Sequence, residues 1–334
     1  MTSTTKYMFD VITFGSATQD IFLELPQNEE ALKEFNVKKY FCLPMGDKIL
    51  VDEMQFFSGG GGTNVACSLA NLGLKTAYYG KIGDDVSGKI ILADLAKFGV
   101  NSKFCFKDKS LPTAVSFVIS CGNDRTILVY KGACHFLSKS EIKFNEAQKT
   151  KWFYLAPFYE KTAEIFSALV DFAKEKNIKI AVNPSIEQIE KGEQSFEKSL
   201  SKADILFLNK EEAAILTKSP EASIEELFIA IRKICPGIIV ITQGDKGAVV
   251  FEGENLYKAD TYKVAVEDKT GAGDSFAAGF MAGLLKENDI EYAIRLGMIN
   301  SAKNISQKGA KIGLLNKSEL KILPKIDIIK ERAC

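Results

Sequence analysis

Apolar residues come in short runs bounded by glycine or polar turns, and between those runs they recur at helical spacing. Residues 9–14 (FDVITF) are a short apolar run ending at Gly15, the pattern of a buried strand. Residues 64–72 place Val65, Leu69 and Leu72 at i, i+4 and i+7, which predicts a helical face, and Gly73 supplies a stop. TAYYG (76–80) reads as strand, and VSGKIILADLAKF (86–98) as helix with Gly99 after it. The alternation resumes after residue 150. WFYLA (152–156) predicts a strand and 160–176 a helix, while IKIAVN (178–183), DILFLN (204–209) and GIIVITQG (237–244) predict strands, each followed by helical or turn sequence. GAVVFEGENLYKAD (247–260) is hairpin-like. Strands alternating with helices imply an α/β fold with a mostly parallel sheet covered on both faces.

The middle of the chain differs. AVSFVIS (114–120) and RTILVYK (125–131) alternate or carry β-branched and aromatic residues, and they flank the turn-rich Cys121-Gly122-Asn123-Asp124. This predicts a β-hairpin. With residues 16–55, which show no long helical pattern, it points to a small β-rich subdomain inserted into the α/β body. The lysine-rich stretch 317–330 reads as solvated surface rather than a binding arm.

Composition narrows the function. The 334 residues hold 43 Lys+Arg and 43 Asp+Glu, so the net charge is zero, and a general nucleic-acid binder, which needs a basic face, is disfavoured. His135 is the single histidine, which excludes metal centres and zinc-protease motifs built on two or three histidines of one chain. It sits in KGACHFLS, with no nucleophile elbow anywhere, and reads as a loop histidine. The seven cysteines form no CxxC and lie mostly in apolar runs, as reduced intracellular thiols do. With no signal peptide or long apolar span apparent, the expected location is the cytoplasm, away from membranes.

Four segments carry candidate chemistry. In Asp268-Lys269-Thr270-Gly271-Ala272-Gly273-Asp274-Ser275-Phe276, the Gly271-Ala272-Gly273 stretch stands where an apolar helix begins, so its free N–H groups converge on one spot. Such a spot favours an anion, and still more the charge developing on a transferring phosphoryl group. Asp274 in the first turn can accept a proton from an attacking hydroxyl, or can simply cap the helix. Gly59-Gly60-Gly61-Gly62-Thr63-Asn64 opens the helix at 64–72. Four glycines lose much backbone entropy on ordering, which a close approach to a ligand would justify. The run is neither a P-loop nor a dinucleotide fingerprint, and Asn64 alone could be a helix cap. Asn209 and Glu212, at the carboxyl end of DILFLN, form an amide and carboxylate three apart that suit Mg²⁺ through its waters, or an ordinary capped helix start. Thr242, Gly244 and Gly247 belong to a glycine loop after GIIVI, which is a nucleotide loop or a plain turn.

Taken together, GGGGTN, the NxxE after a strand, TQGDKG and DKTGAGDSF, in this order, resemble the ribokinase-type (PfkB-type) carbohydrate kinase family, which includes sugar and adenosine kinases. The resemblance runs from Asp20 to the KGA at 308–310. It implies a ribokinase-like three-layer α/β/α fold over residues 1–334, with a β-sheet lid drawn from about 16–55 and 110–133. It implies Asp274 as general base, Gly271, Ala272 and Gly273 as anion hole, and Asp20, Gly60, Gly61 and Asn64 as sugar contacts. ATP falls to Asn209, Thr242, Gly244 and Gly247, with Asn300 at the adenine, and Mg²⁺ to Glu212 through water. Asp268, Thr270, Ser306 and Gly309 lie where cation-dependent members bind K⁺.

The chain departs from ribokinase proper at Gly61, where that enzyme carries lysine, and at Ala156 and Pro157, after a strand that it follows with glutamate. Ribose is thereby disfavoured. The expectation is an ATP-dependent kinase acting on a primary hydroxymethyl of a small sugar or nucleoside; few basic residues near Asp20 or Asn64 disfavour an acidic acceptor. The alternative is a non-catalytic sugar or nucleotide sensor on the same fold. A dehydrogenase is disfavoured, because ITFGSATQD holds one glycine and no GxGxxG. Lid-to-lid pairing offers a route to a homodimer.

Overall fold

Successive residues of the central strands point to opposite faces of the sheet, and here both faces are apolar. Ile12 and Phe14 enter one core while Val11 enters the other; Leu206 and Leu208 are likewise separated from Ile205 and Phe207. Strands buried on both sides must be covered on both sides, which yields three layers.

The computed structural model describes residues 7–26, 32–35, 38–121 and 124–332. Its strands are β1 (Phe9–Phe14), β2 (Thr18–Glu24), β3 (Leu32–Phe35), β4 (Lys38–Phe41), β5 (Glu53–Gly59), β6 (Thr76–Gly83), β7 (Asn101–Asp108), β8 (Ala114–Cys121), β9 (Asp124–Tyr130), β10 (Thr150–Leu155), β11 (Lys179–Val182), β12 (Ile205–Asn209), β13 (Ile238–Thr242), β14 (Ala248–Glu252), β15 (Asn255–Ala259) and β16 (Ile328–Arg332). The large sheet has the order β16-β15-β14-β13-β12-β11-β10-β1-β6-β7. It is parallel from β13 to β7, with β14, β15 and β16 added antiparallel at one edge. A second sheet, β5-β2-β8-β9, forms the lid, and β3 pairs with β4.

One face carries the helix Phe166–Glu175 and the amphipathic Ile224–Arg232, whose Leu227, Phe228 and Ile231 are buried. The other carries Gly61–Asn71 and the antiparallel pair Ala272–Glu287 and Ile290–Ile305. β1 is the pivot. The chain runs outward through β6 and β7 on one side of it and through β10 to β13 on the other. The carboxyl ends of β1 and β10 therefore diverge at a topological switch, which is where open α/β sheets bind ligands.

Several expectations shift. The first helix begins at Gly61, inside the glycine run rather than at Asn64, because Gly62 without a side chain packs on Gly15. The stretch 160–176 breaks into Glu160–Ala163 and Phe166–Glu175; Thr162 Oγ1 bonds back to the Tyr159 carbonyl at 2.5 Å, competing with the helix. The lysine-rich tail is not merely solvated surface: Ile328–Arg332 is the tenth strand, paired along β15. The hairpin of β8 and β9 forms as expected, although Gly122 and Asn123 of its turn lie outside the described residues. Among the described residues no helix is long and apolar enough to cross a membrane.

Candidate active site

The cleft is assembled from strand ends and helix starts. Gly60 takes φ 95° before the helix Gly61–Asn71, and a side chain there would meet the Ser16 carbonyl oxygen at 2.5 Å. The Gly61 N–H donates to Ser16 Oγ at 3.1 Å. A Cβ on Gly61 would lie 3.5 Å from Asp274 Oδ1, 3.5 Å from Ala156 Cβ and 3.4 Å from Pro157 Cδ. The glycine loop, the end of β10 and Asp274 thus bound one space.

Gly271 opens the helix Ala272–Glu287 with φ 80°, in the left-handed region, and a Cβ there would meet Ala310 Cβ at 2.7 Å, so only glycine fits. The N–H groups of Gly273 and Asp274 fall in the first helical turn, which has no intrahelical acceptors to offer them. A Cβ on Gly273 would find no atom within 4 Å, so the helix end opens to space. Ala272 differs: its N–H turns to the Lys269 carbonyl at 3.3 Å.

The half-buried Asp274 accepts a hydrogen bond from Asn64 Nδ2 at 2.8 Å, across 210 residues of sequence. Burial pushes its carboxyl above the ordinary range; the Asn64 amide and Lys311 oppose this, and Asp20 reinforces it. Asn64 Oδ1 is buried with no hydrogen-bond partner among the described residues, leaving an acceptor to be satisfied. Asp20 is buried on β2, and its Oδ1 accepts from Thr18 Oγ1 at 3.0 Å. Burial raises its carboxyl too, against the hydroxyls of Thr18 and Ser116. The structure thus brings Asp20, Gly60, Gly61, Asn64, Gly271, Gly273 and Asp274 together.

Asn209 and Glu212 cap each other's backbone: Asn209 Oδ1 accepts from the Glu212 N–H and Glu212 Oε2 from the Asn209 N–H, both at 2.8 Å. The capped helix start is therefore realised. Burial nevertheless raises the Glu212 carboxyl, and Glu211 and Asp274 raise it further, which places it in the electrostatic field of the cleft. Thr242 ends β13 beside them in register with Asn209, and Gly244 and Gly247 follow with φ 61° and 85°.

Asn300 is a correction. It is fully buried in the core, where Nδ2 donates to Ser68 Oγ at 2.9 Å and the Ser275 carbonyl at 2.6 Å, and Oδ1 accepts from the Leu315 N–H at 3.0 Å. With its amide consumed, it braces helices rather than lining an adenine pocket. His135 lies in the short turn Ala133–Phe136, buried and stacked on Tyr159 with ring centroids 5.0 Å apart. Burial, with Asp274 and Glu212 nearby, pushes the Tyr159 phenol up to about 12.

Asp268, Thr270 and Gly309 converge. Asp268 Oδ1 accepts from the Thr270 N–H at 3.0 Å and Thr270 Oγ1 at 2.7 Å, and Oδ2 from the Gly309 N–H at 3.0 Å. Ser306 points its hydroxyl at the Lys303 carbonyl, 2.8 Å away. Two residues of this region carried no sequence signal. Arg125, on β9 of the lid, donates to Asp268 Oδ1 at 2.6 Å. Lys311 is buried, with Nζ donating to Ser58 Oγ at 2.6 Å and lying 3.5 Å from Asp94. Both approach from elements far apart in the chain, so neither stood in a recognisable local pattern.

The model of the pfkB family of carbohydrate kinases matches residues 30–317. The chain belongs to this family. A relative from Archaeoglobus fulgidus, an uncharacterized sugar kinase, is 32% identical over 252 residues, covering 74% of this chain and 97% of that protein. A ribokinase of Haemophilus influenzae is 29% identical over 285 residues, covering 84% and 91%. Among solved structures, an Arabidopsis thaliana ribokinase complexed with ribose and ATP superposes with a TM-score of 0.79 at 22% identity, covering 94% of this chain and 98% of the other. An E. coli putative ribokinase II with ATP and Mg²⁺ gives 0.80 at 18%, covering 95% and 99%. These two establish the ribokinase fold.

Proposed function

We propose that this pfkB-family kinase transfers the γ-phosphoryl group of ATP to a primary hydroxymethyl group of a small sugar or nucleoside. The observation that carries the reading is Asp274: a carboxylate with raised proton affinity, held by Asn64 at 2.8 Å, in the first turn of a helix whose end opens to the cleft. Asp274 takes the proton of the attacking hydroxyl. The N–H groups after Gly271 stabilise charge on the phosphoryl oxygens as it passes. Asp20 and the free Oδ1 of Asn64 accept hydrogen bonds from acceptor hydroxyls and fix the geometry of attack.

The nucleotide lies along Asn209, Thr242, Gly244 and Gly247, at the carboxyl ends of β12 and β13. Glu212 fits the Mg²⁺ role: it is acidic, partly desolvated and close enough to Asp274 to feel its charge. Bound with ATP, Mg²⁺ supplies neutralisation of the phosphates, and Glu212 orders its water shell. The E. coli neighbour in complex with ATP and Mg²⁺ supports this donor.

The three departures from ribokinase, Gly61, Ala156 and Pro157, stand side by side in the cleft. They leave an uncharged, roomier wall where that enzyme has lysine and glutamate, which favours acceptors other than ribose. The lid's outer face carries Met54, Phe56, Phe117 and Leu128, all exposed, as a dimer contact would.

The test is ADP release from Mg-ATP across ribose, fructose, 2-keto-3-deoxygluconate, adenosine, cytidine and inosine, followed by Asp274→Asn on the acceptor that works. Loss of a general base lowers kcat by about 10²–10⁴-fold with little change in folding. Near-normal turnover of that variant refutes the assignment of the base. A folded protein that binds ATP yet turns over no acceptor refutes the kinase reading for this panel and favours the sensor.

A further inference from the structure

The Asp268 loop already has a cation. Asp268 has a side chain 4% exposed, and four hydrogen bonds reach its carboxylate: Oδ1 takes the Thr270 N–H, the Thr270 hydroxyl and Arg125 Nη1, and Oδ2 takes the Gly309 N–H. Arg125 also donates to Thr270 Oγ1 at 3.2 Å. The residue set that the resemblance offers to K⁺ therefore does not fit a metal ion beside this guanidinium. An arginine delivers a single positive charge, with fixed donors, to that carboxylate.

The source of the arginine matters more than its charge. Arg125 stands on the lid. On that sheet Arg125 is paired with Ser120, Ser120 with Glu24, and Glu24 with Glu53, so the four form one row across all four strands. The body side answers this row: Asp268 and Thr270 meet Arg125, while Lys308 lies 3.3 Å from Glu24 and 3.5 Å from Glu53. One row thus carries a cation to an anion and two anions to a cation. Three residues past Asp268 the chain turns at Gly271 into the anion hole.

We propose that Arg125 is the resident cation of the Asp268 loop, a positioning residue that couples lid closure to the shape of the anion hole and frees turnover from any monovalent ion. The proposal rests on the kinase reading for its catalytic consequence, but not for the site itself. With the lid seated, Asp268 is neutralised and the Thr270 and Gly309 backbones are tied to it. With the lid away, the carboxylate loses its cation, and the Thr270–Gly271 turn loses the hydrogen bond that Arg125 makes to Thr270.

Two measurements test this. In the first, wild-type turnover is compared in KCl and in tetramethylammonium chloride of equal ionic strength, alongside Arg125→Ala and Arg125→Lys. The wild type is expected to be indifferent to K⁺. Arg125→Ala is expected to lose about 100-fold in kcat, the scale of a 1 Å misplacement of catalytic groups, with partial recovery on adding K⁺ or guanidinium. Arg125→Lys keeps most of the activity. Strong stimulation of the wild type by K⁺, or unchanged kcat of Arg125→Ala in K⁺-free buffer, overturns the proposal. The second uses crystals of the whole chain in RbCl, where Rb⁺ is located by its anomalous signal. Rb⁺ is expected at Asp268 only in Arg125→Ala; Rb⁺ at Asp268 in the wild type overturns the proposal. Because the diffraction result needs no acceptor, it decides the cation question even if no acceptor is phosphorylated, which would count against the kinase reading instead.

Discussion

Asn64 is the point at which the two halves of the chain meet the chemistry, and its replacement has a calculable effect. Its amide donates to Asp274 Oδ2 at 2.8 Å, inside a site where burial already raises the Asp274 carboxyl. A hydrogen bond to a charged group is worth about 1.5–3 kcal/mol. Losing that stabilisation of the charged form in Asn64→Ala moves the carboxyl further up. Asn64→Asp does more. A second carboxylate about 4 Å away, at an effective dielectric of about 20, adds about 4 kcal/mol of repulsion, and the pair then shares a proton. The sign follows from the role proposed for Asp274: a base works only when deprotonated, so a raised pKa moves the acid limb of kcat/KM to higher pH. The assay is kcat/KM for the identified acceptor from pH 5 to 10, with thermal melts to confirm folding. The expected order of acid limbs is wild type, then Asn64→Ala, then Asn64→Asp, with the Ala profile parallel to wild type on the alkaline side. A lost acceptor contact alone would lower kcat/KM at every pH without moving the limb. An Asn64→Ala limb at the wild-type position refutes the argument that this hydrogen bond tunes the base.

Two further predictions concern geometry. Gly271→Ala must place a Cβ 2.7 Å from Ala310 Cβ while holding φ 80°, so it is expected to lower the unfolding free energy by about 1–3 kcal/mol and to cut kcat more than KM, read by thermal melts and steady-state kinetics. On the lid, Phe56 and Phe117 lie on one face through their shared neighbour Ile21, and light scattering is expected to show a dimer that Phe56→Glu dissociates; a monomeric wild type at micromolar concentration refutes this.

The fold was legible because its signals are local. Short apolar runs at 9–14, 152–156, 204–209 and 237–244 gave strands within a residue or two of those observed, since a strand buried on both faces has nothing else to be. The candidate site was legible in its glycines for the same reason. Gly60 and Gly271 sit at backbone angles and close approaches that other residues cannot take, so the requirement is written at the position itself. Boundaries were less legible. The helix start at Gly61 and the edge strand at Ile328–Arg332 depend on what packs against them, Gly15 in one case and β15 in the other.

Local residue order thus carries the alternation of strands and helices, the inserted β lid and the two glycine motifs with Asn64 and Asp274. Folding brings the rest into view: Asn64 donates to Asp274, Asn300 is spent in the core, and Arg125 and Lys311 reach Asp268 and Ser58 across 143 and 253 residues. A hydrogen bond or ion pair between distant segments leaves no spacing in the chain. It exists only because the sheet order and the lid register bring two side chains to within about 3 Å of each other, the range in which such bonds form.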